Sequence, residues 1–204
     1  MGSMGQQDII DQIRYGLSEA RKISSPFILK DIFLNVPTWE EFISHLNYEY
    51  HNSSIPQQIA NPGQEEIHHN GVCIRDNFYL NARMPGAKHG ILNVANEVSD
   101  VLKKAFDVVE GGPLVSFINF VGNDSPLNIH YDRRDMAYWQ CIGNVEWRVY
   151  GDSSKINNPD PEIYESYFLS PGDLLIIPDK IFHAVKVDGP RAAISFGYND
   201  REWI

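Results

Sequence analysis

The chain has 204 residues, 43% of them apolar, and 27 acidic against 17 basic side chains give a net charge of -10. That size suits one domain with a full core, and an acidic balance without a Lys/Arg cluster argues against a nucleic-acid partner, because phosphate binding needs cations. No apolar run reaches the length of a membrane span, the N-terminus lacks a signal-peptide core, and Cys73 and Cys141 have no CxxC spacing, so a cytoplasmic, reducing location without membrane or zinc is expected.

In chain order, Ile9, Ile10, Ile13 and Leu17 recur at helical spacing. Pro26 to Leu29, with Ile32 and Phe33, reads as extended. Thr38 followed by Glu41 forms a capping box, opening a helix whose apolar face is Phe42, Ile43 and Leu46. Residues 51–70, rich in Asn, Ser, Pro, Gln and His, read as a mobile loop of the kind that covers an active-site mouth. Its His68-His69 pair is not read as a metal site, since neighbours on a strand face opposite ways. Val72 to Ala82 reads as one strand carrying Tyr79 and Asn81, and 91–106 as an amphipathic helix with Leu92, Ala95, Val98, Leu102 and Phe106 on one face.

Beyond residue 110 the pattern changes to short strands at barrel-like spacing. Leu114 to Val121 is a buried strand, Gly122 to Pro126 a turn, and a strand entering at Leu127 delivers His130. Met136 to Cys141 and Val145 to Tyr150 flank Gly143-Asn144, a tight hairpin signal. Ser170-Pro171-Gly172-Asp173 introduces the apolar run Leu174 to Ile177, stopped by Pro178. His183, Val185 and Val187 follow, then a Gly189-Pro190 turn and a last strand, Ala193 to Tyr198.

The most informative residues are His130, Asp132 and His183. Positions i and i+2 of a strand share a face, so the first two offer an imidazole and a carboxylate to one point. His183 completes the set if its strand lies alongside. Two histidines and one carboxylate with open positions opposite are the donor set of non-haem Fe(II) oxygenases.

With their flanks, HYDxxDMAYWQCIGNVEWRVY and PGDLLIIPDKIFHAV, these residues resemble the double-stranded β-helix of the cupin and JmjC-type Fe(II)/2-oxoglutarate oxygenases over about 113–199. The resemblance implies a jelly-roll, all-β core with flanking helices. It also implies His130, Asp132 and His183 as Fe(II) ligands, with 2-oxoglutarate and O2 as cosubstrates. No further catalytic side chain is implied, and the reaction is hydroxylation of an unactivated C–H bond with release of succinate and CO2. One departure stands out. The family commonly places Lys or Arg fifteen residues beyond the first histidine, where this chain has Val145. Two candidates for the far-carboxylate clamp remain: Arg148 on the same hairpin as Val145, and Arg191 with Ser195 as companion, which resembles the basic residue after the second histidine in many other 2-oxoglutarate oxygenases; a guanidinium suits the role because it grips carboxylates bidentately. Asn119 and Tyr138 are weaker cosubstrate contacts, while Trp139 and Trp147 read as packing.

The implied organisation is a single domain, 1–204, with 1–110 an N-terminal elaboration on a 111–204 barrel. Arg133 and Arg134 follow the ligand pair directly and, with Tyr79, are candidates for substrate contact. The substrate is open between a small molecule and a peptide side chain, and helices of this type in the resembled family can serve a homodimer. A cupin metalloenzyme without 2-oxoglutarate and a non-catalytic cupin module are the alternatives.

Overall fold

In the computed structural model, described over residues 5–52, 66–69, 72–75, 79–84, 93–108, 114–119, 123–124, 129–151 and 162–198, helices pack on one side of a two-sheet jelly roll. Helix α1 (Gln6–Ile23) buries Ile10, Ile13, Gly16, Leu17 and Ala20 and ends at Ser24 in the left-handed region. A Cβ on Gly16 would stand 3.0 Å from Phe27 and 3.1 Å from Ile176, so the glycine lets this helix settle closely on the sheet. Strand β1 (Phe27–Leu29) follows, then α2 (Trp39–Asn52), whose capping box forms as expected. The Thr38 amide donates to Glu41 Oε2 at 2.7 Å, and the Glu41 amide donates to Thr38 Oγ1 at 3.3 Å.

The next segment differs from its reading. Strand β2 (Glu66–His69) pairs with β3 (Val72–Arg75), which pairs with β4 (Tyr79–Met84), so 72–82 is two strands and His68-His69 is strand rather than loop. Residues 51 and 52 of the expected mobile loop end α2 instead, and the rest of it, 53–65 and 70, lies outside the described residues. Helix α3 (Asn93–Phe106) buries Ala95, Val98, Leu102 and Phe106; Leu92 lies outside the described residues. No described helix is long and apolar enough to cross a membrane.

The barrel strands are β5 (Leu114–Asn119), β6 (Asn123–Asp124), β7 (Asp135–Ile142), β8 (Val145–Tyr150), β9 (Ile163–Leu169), β10 (Leu174–Ile177), β11 (His183–Val187) and β12 (Arg191–Tyr198). One sheet has the order β1-β10-β7-β12-β5-β4-β3-β2 and the other β6-β11-β8-β9. Two readings are corrected here. Asn123 and Asp124, taken as turn, pair with Val187 and Lys186. Gly143-Asn144 joins no hairpin: β7 and β8 lie in different sheets, so the turn is a corner that carries the chain from one layer to the other. Jelly rolls need such corners because consecutive strands must alternate between sheets.

Strand alternation then sorts the interior into two layers. Leu174, Ile176, Trp139, Cys141, Ala192, Ile194 and Phe196 face the helices in one cluster. Leu175, Ile177, Tyr138, Val145, Trp147, Val185 and Ala193 form a second cluster between the sheets. All four residues of β10 are buried, which is why this strand reads as a continuous apolar run. Asp173 anchors its start: the carboxylate accepts from the Ser170 amide at 2.7 Å, the Asp31 amide at 3.0 Å and Lys30 Nζ at 2.8 Å.

His45 on α2 is 5% exposed, and its Nε2 has no partner among the described residues. Burial lowers its pKa from 6.5 to about 4. A depressed histidine pKa means the unfolded chain binds the proton better, so this stability is present above pH 6.5 and is lost as pH falls toward 4. Between pH 7 and pH 5 the wild type should lose about 2 kcal/mol more than a His45→Leu variant. Urea unfolding of both proteins at the two pH values measures that difference.

Candidate functional site

The site begins with one pair of backbone hydrogen bonds. His130 and His183 face each other in an isolated antiparallel bridge: the His130 amide donates to the His183 carbonyl at 3.0 Å, and the His183 amide donates back at 2.8 Å. Residues paired this way project to one side, and the two imidazole rings lie 4.4 Å apart. Asp132 sits just beyond, in a non-strand segment, with its carbonyl accepting from the Lys180 amide at 2.8 Å. The HxD motif is therefore held by bridges to the loop and strand around His183, and not by its own regular strand. The segment from Leu127 that was expected to deliver His130 is outside the described residues up to 128.

The donor atoms of His130, Asp132 and His183 all lie within 4.8 Å of one another, with His183 Nε2 3.6 Å from Asp132 Oδ2. The chemistry of this set suits a cation. His183 Nδ1 lies 2.9 Å from the Ile181 carbonyl; donation there places the ring proton on Nδ1 and leaves Nε2 as a lone pair facing a carboxylate. Burial, and next the neighbouring His130, push the His183 pKa down to about 3, so the imidazole stays neutral. Burial also raises the Asp132 carboxyl against the opposing pull of His130 and Arg134. Two imidazoles and a carboxylate gathered this closely are the residues that would hold a divalent metal.

These residues open into a cavity of about 80 Å³, also lined by Phe117, Met136, Tyr138, Trp147, Ile177, Val185, Arg191 and Ser195. Arg191 is 2% exposed. Its Nε donates to Asn119 Oδ1 at 2.7 Å and its Nη1 to the Tyr138 hydroxyl. Both partners are neutral, and no carboxylate among the described residues pairs with this guanidinium. Tyr138, pushed up to about 12 by burial, is a neutral phenol; accepting from Arg191 leaves its own O–H to donate elsewhere. Buried charges are ordinarily paired, so the cavity is built for an anion.

The candidates divide clearly. Arg191, Ser195 and Tyr138 line the cavity, and Asn119 acts through Arg191. Arg148 does not reach it. On β8 the buried positions are Val145, Trp147 and Val149, so Arg148 faces outward, where it pairs with Glu146 at 3.1 Å; strand alternation removes it as a clamp. Arg133 is exposed and Arg134 half-buried beside Asp132. Tyr79 is the register partner of Asn119 across β4 and β5, and its side chain lies outside the described residues. Trp147, read as packing, is a cavity wall whose ring lies 4.9 Å from His183. The inward alternation of β8 carried that signal, but only the pairing of β8 with β11 says what inward means.

Residues 112–203 match the JmjC domain. The resemblance drawn from the two motifs is thereby shown for the barrel. In fold, the chain is similar to the ribosomal oxygenase YcfD from Escherichia coli, at 18% identity and a TM-score of 0.55 over 87% of this chain and 48% of that one. The same protein in complex with cobalt and 2-oxoglutarate matches at 19% identity and TM-score 0.54, over 87% and 48%. Its complex with cobalt and succinic acid matches at 20% and 0.55, over 87% and 49%. This chain thus spans about half the length of those chains. No curated protein sequence matches it.

Within the residues that match the JmjC domain, the Q-x-x-G element has a visible task. Gln140 Nε2 donates to the carbonyls of Ile142 and Gly143 at 2.7 and 3.0 Å, closing the corner turn. Gly143 has φ +71, and a Cβ there would stand 2.3 Å from the Pro190 carbonyl oxygen and 3.2 Å from Arg191 Cβ. The corner is therefore pressed against the start of β12, where Arg191 begins. Gly143→Ala should cost about 2 kcal/mol or more from the left-handed backbone and the clash together. Gly143→Asn, which tolerates that backbone better, should recover only part; urea titration of the three proteins checks the order.

Proposed function

We propose that this chain is an Fe(II)- and 2-oxoglutarate-dependent oxygenase that hydroxylates an unactivated C–H bond of a small molecule or peptide side chain. The observation that carries the reading is Arg191: a buried guanidinium without a carboxylate partner among the described residues, in the same cavity as two histidines and an aspartate. Fe(II) held by His130, Asp132 and His183 supplies, with 2-oxoglutarate and O2, an oxidant for C–H bonds while 2-oxoglutarate becomes succinate and CO2. The complexes of the E. coli ribosomal oxygenase with cobalt, 2-oxoglutarate and succinic acid support the same pairing of metal and oxoacid here.

The protein's own contribution is positional. The His130–His183 bridge sets two imidazoles side by side, and the Ile181 carbonyl fixes which nitrogen of His183 is open. Arg191, aimed by Asn119 and Tyr138, grips the far carboxylate, with the Tyr138 and Ser195 hydroxyls close enough in the cavity wall to share it. Phe117, Met136, Trp147, Ile177 and Val185 keep water from the oxidant. No side chain need act as an acid or base. A cupin working without an oxoacid gives no reason for a buried arginine that lacks a carboxylate partner among the described residues, which argues against that alternative and against a barrel without chemistry.

Affinity for 2-oxoglutarate, measured anaerobically from the charge-transfer absorbance of the Fe(II) complex, should fall about a hundredfold in Arg191→Ala. In Arg148→Ala, whose side chain faces outward, it should stay within about twofold. Equal losses, or a loss confined to Arg148→Ala, would remove the clamp from β12. Asp132→Ala should abolish succinate release, and full turnover by that variant would exclude the oxygenase reading altogether.

A further inference from the structure

A second cation, Arg134, stands beside Asp132 at the more exposed end of the cavity. Exposure marks the two ends: Arg191 is 2% exposed, whereas the Asp132 side chain is 34% exposed. The positions of β12 that share the Arg191 face are Ala193, Ser195 and Gly197. Gly197 has no need of a glycine for its backbone, since its φ is not in the left-handed region. What requires it is space. A Cβ there would stand 2.6 Å from Arg134 Cδ, 3.2 Å from Met136 Sδ and 3.4 Å from Arg134 Nη1. The aliphatic stem of Arg134 thus lies across the last position of that β12 face, next to Met136 of the cavity wall, with its guanidinium in the field of Asp132.

Arg191 and Arg134 therefore stand at opposite ends of one strand face. From position 191 to 197 that face is roughly 20 Å long at the usual strand rise. One oxoacid held at Arg191 and at the metal has both of its carboxylates engaged there, so any anion met by the outer cation is a different one. Resting on the oxygenase reading above, we propose that the substrate to be oxidised carries a carboxylate, and that Arg134, seated on Gly197, binds it at the cavity mouth. A guanidinium has five N–H donors, so contact with Asp132 and with a substrate carboxylate are compatible. The bound carboxylate orients the molecule with the C–H bond to be hydroxylated inward, and that group is either the carboxylate of a small acid or one on a peptide.

The test takes wild type, Arg134→Gln and Gly197→Ala through two paired series. One sets free L-amino acids against their carboxamides; the other sets pentapeptides with a free carboxylate against the same peptides amidated. Turnover is read as the mass gain of one oxygen, and binding without turnover as paramagnetic relaxation of probe protons in protein loaded with Mn(II) and 2-oxoglutarate. In one series the acid should bind about tenfold tighter than its amide, and the gap should close in Arg134→Gln and narrow in Gly197→Ala, which keeps the charge but displaces it. The series that shows the gap tells small acid from peptide. Absence of acid preference in both series, a preference that survives Arg134→Gln, or an equal loss of Mn(II) affinity in that variant overturns the proposal; the last would mean that Arg134 serves only Asp132. Failure of wild type to bind 2-oxoglutarate with Mn(II) would sink the oxygenase reading and this proposal with it, a result separate from the other three.

Discussion

Two hydrogen bonds between the backbones of His130 and His183 hold the functional part of this molecule together. They join residues 53 positions apart in the chain, and nothing else in the described structure pairs that stretch of backbone with β11 so near the donors. Because a reciprocally bonded antiparallel pair sends both side chains to one side, the bridge alone brings two imidazoles to 4.4 Å. The Lys180 amide on the Asp132 carbonyl then adds the carboxylate. The convergence of the three donors is a property of the backbone, and it stands whether or not their side chains attract one another.

Around that bridge, the jelly roll divides its labour by strand parity. On β12, Ala192, Ile194 and Phe196 pack toward the helices, while Arg191, Ala193, Ser195 and Gly197 look into the space between the sheets. β10 does the same with Leu174 and Ile176 against Leu175 and Ile177. One layer supplies apolar burial against α1 and α3; the other leaves room for polar groups that would be costly in a solid core. Arg191 is tolerated there because Asn119 and Tyr138 accept from it, and because the cavity leaves its charge somewhere to go.

Much of this was legible in the residues. The capping box of α2, the faces of α1 and α3, the apolar strand after Pro171-Gly172-Asp173 and the three metal-ligand candidates could be read from spacing and residue type, which depend on local geometry. The errors have a common source. Gly143-Asn144 has the composition of a hairpin turn, yet it is a corner, because the partner of β8 is β11 and not β7. Val145, standing where the resembled family has a basic residue, left Arg148 and Arg191 as rivals, and only the pairing of β8 with β11 and β9 shows that Arg148 faces outward. The division of 72–82 into two strands and the pairing of Asn123 and Asp124 were missed for the same reason, since both are decided by partners distant in sequence.

By itself the amino-acid sequence determined which atoms are available: two imidazoles, a carboxylate, arginines at 134, 148 and 191, and a period-two pattern that makes strands of the segments carrying Arg148, His183 and Arg191. Those follow from side-chain chemistry and local backbone preference, which act within a few residues. Tertiary structure decided which arginine is buried without a counter-charge among the described residues, which tryptophan becomes a cavity wall, and that Gly197 makes room for Arg134 beside Asp132. Each of these depends on which strand lies next to which, and long-range pairing is chosen by the burial of the whole sheet rather than by any segment of it.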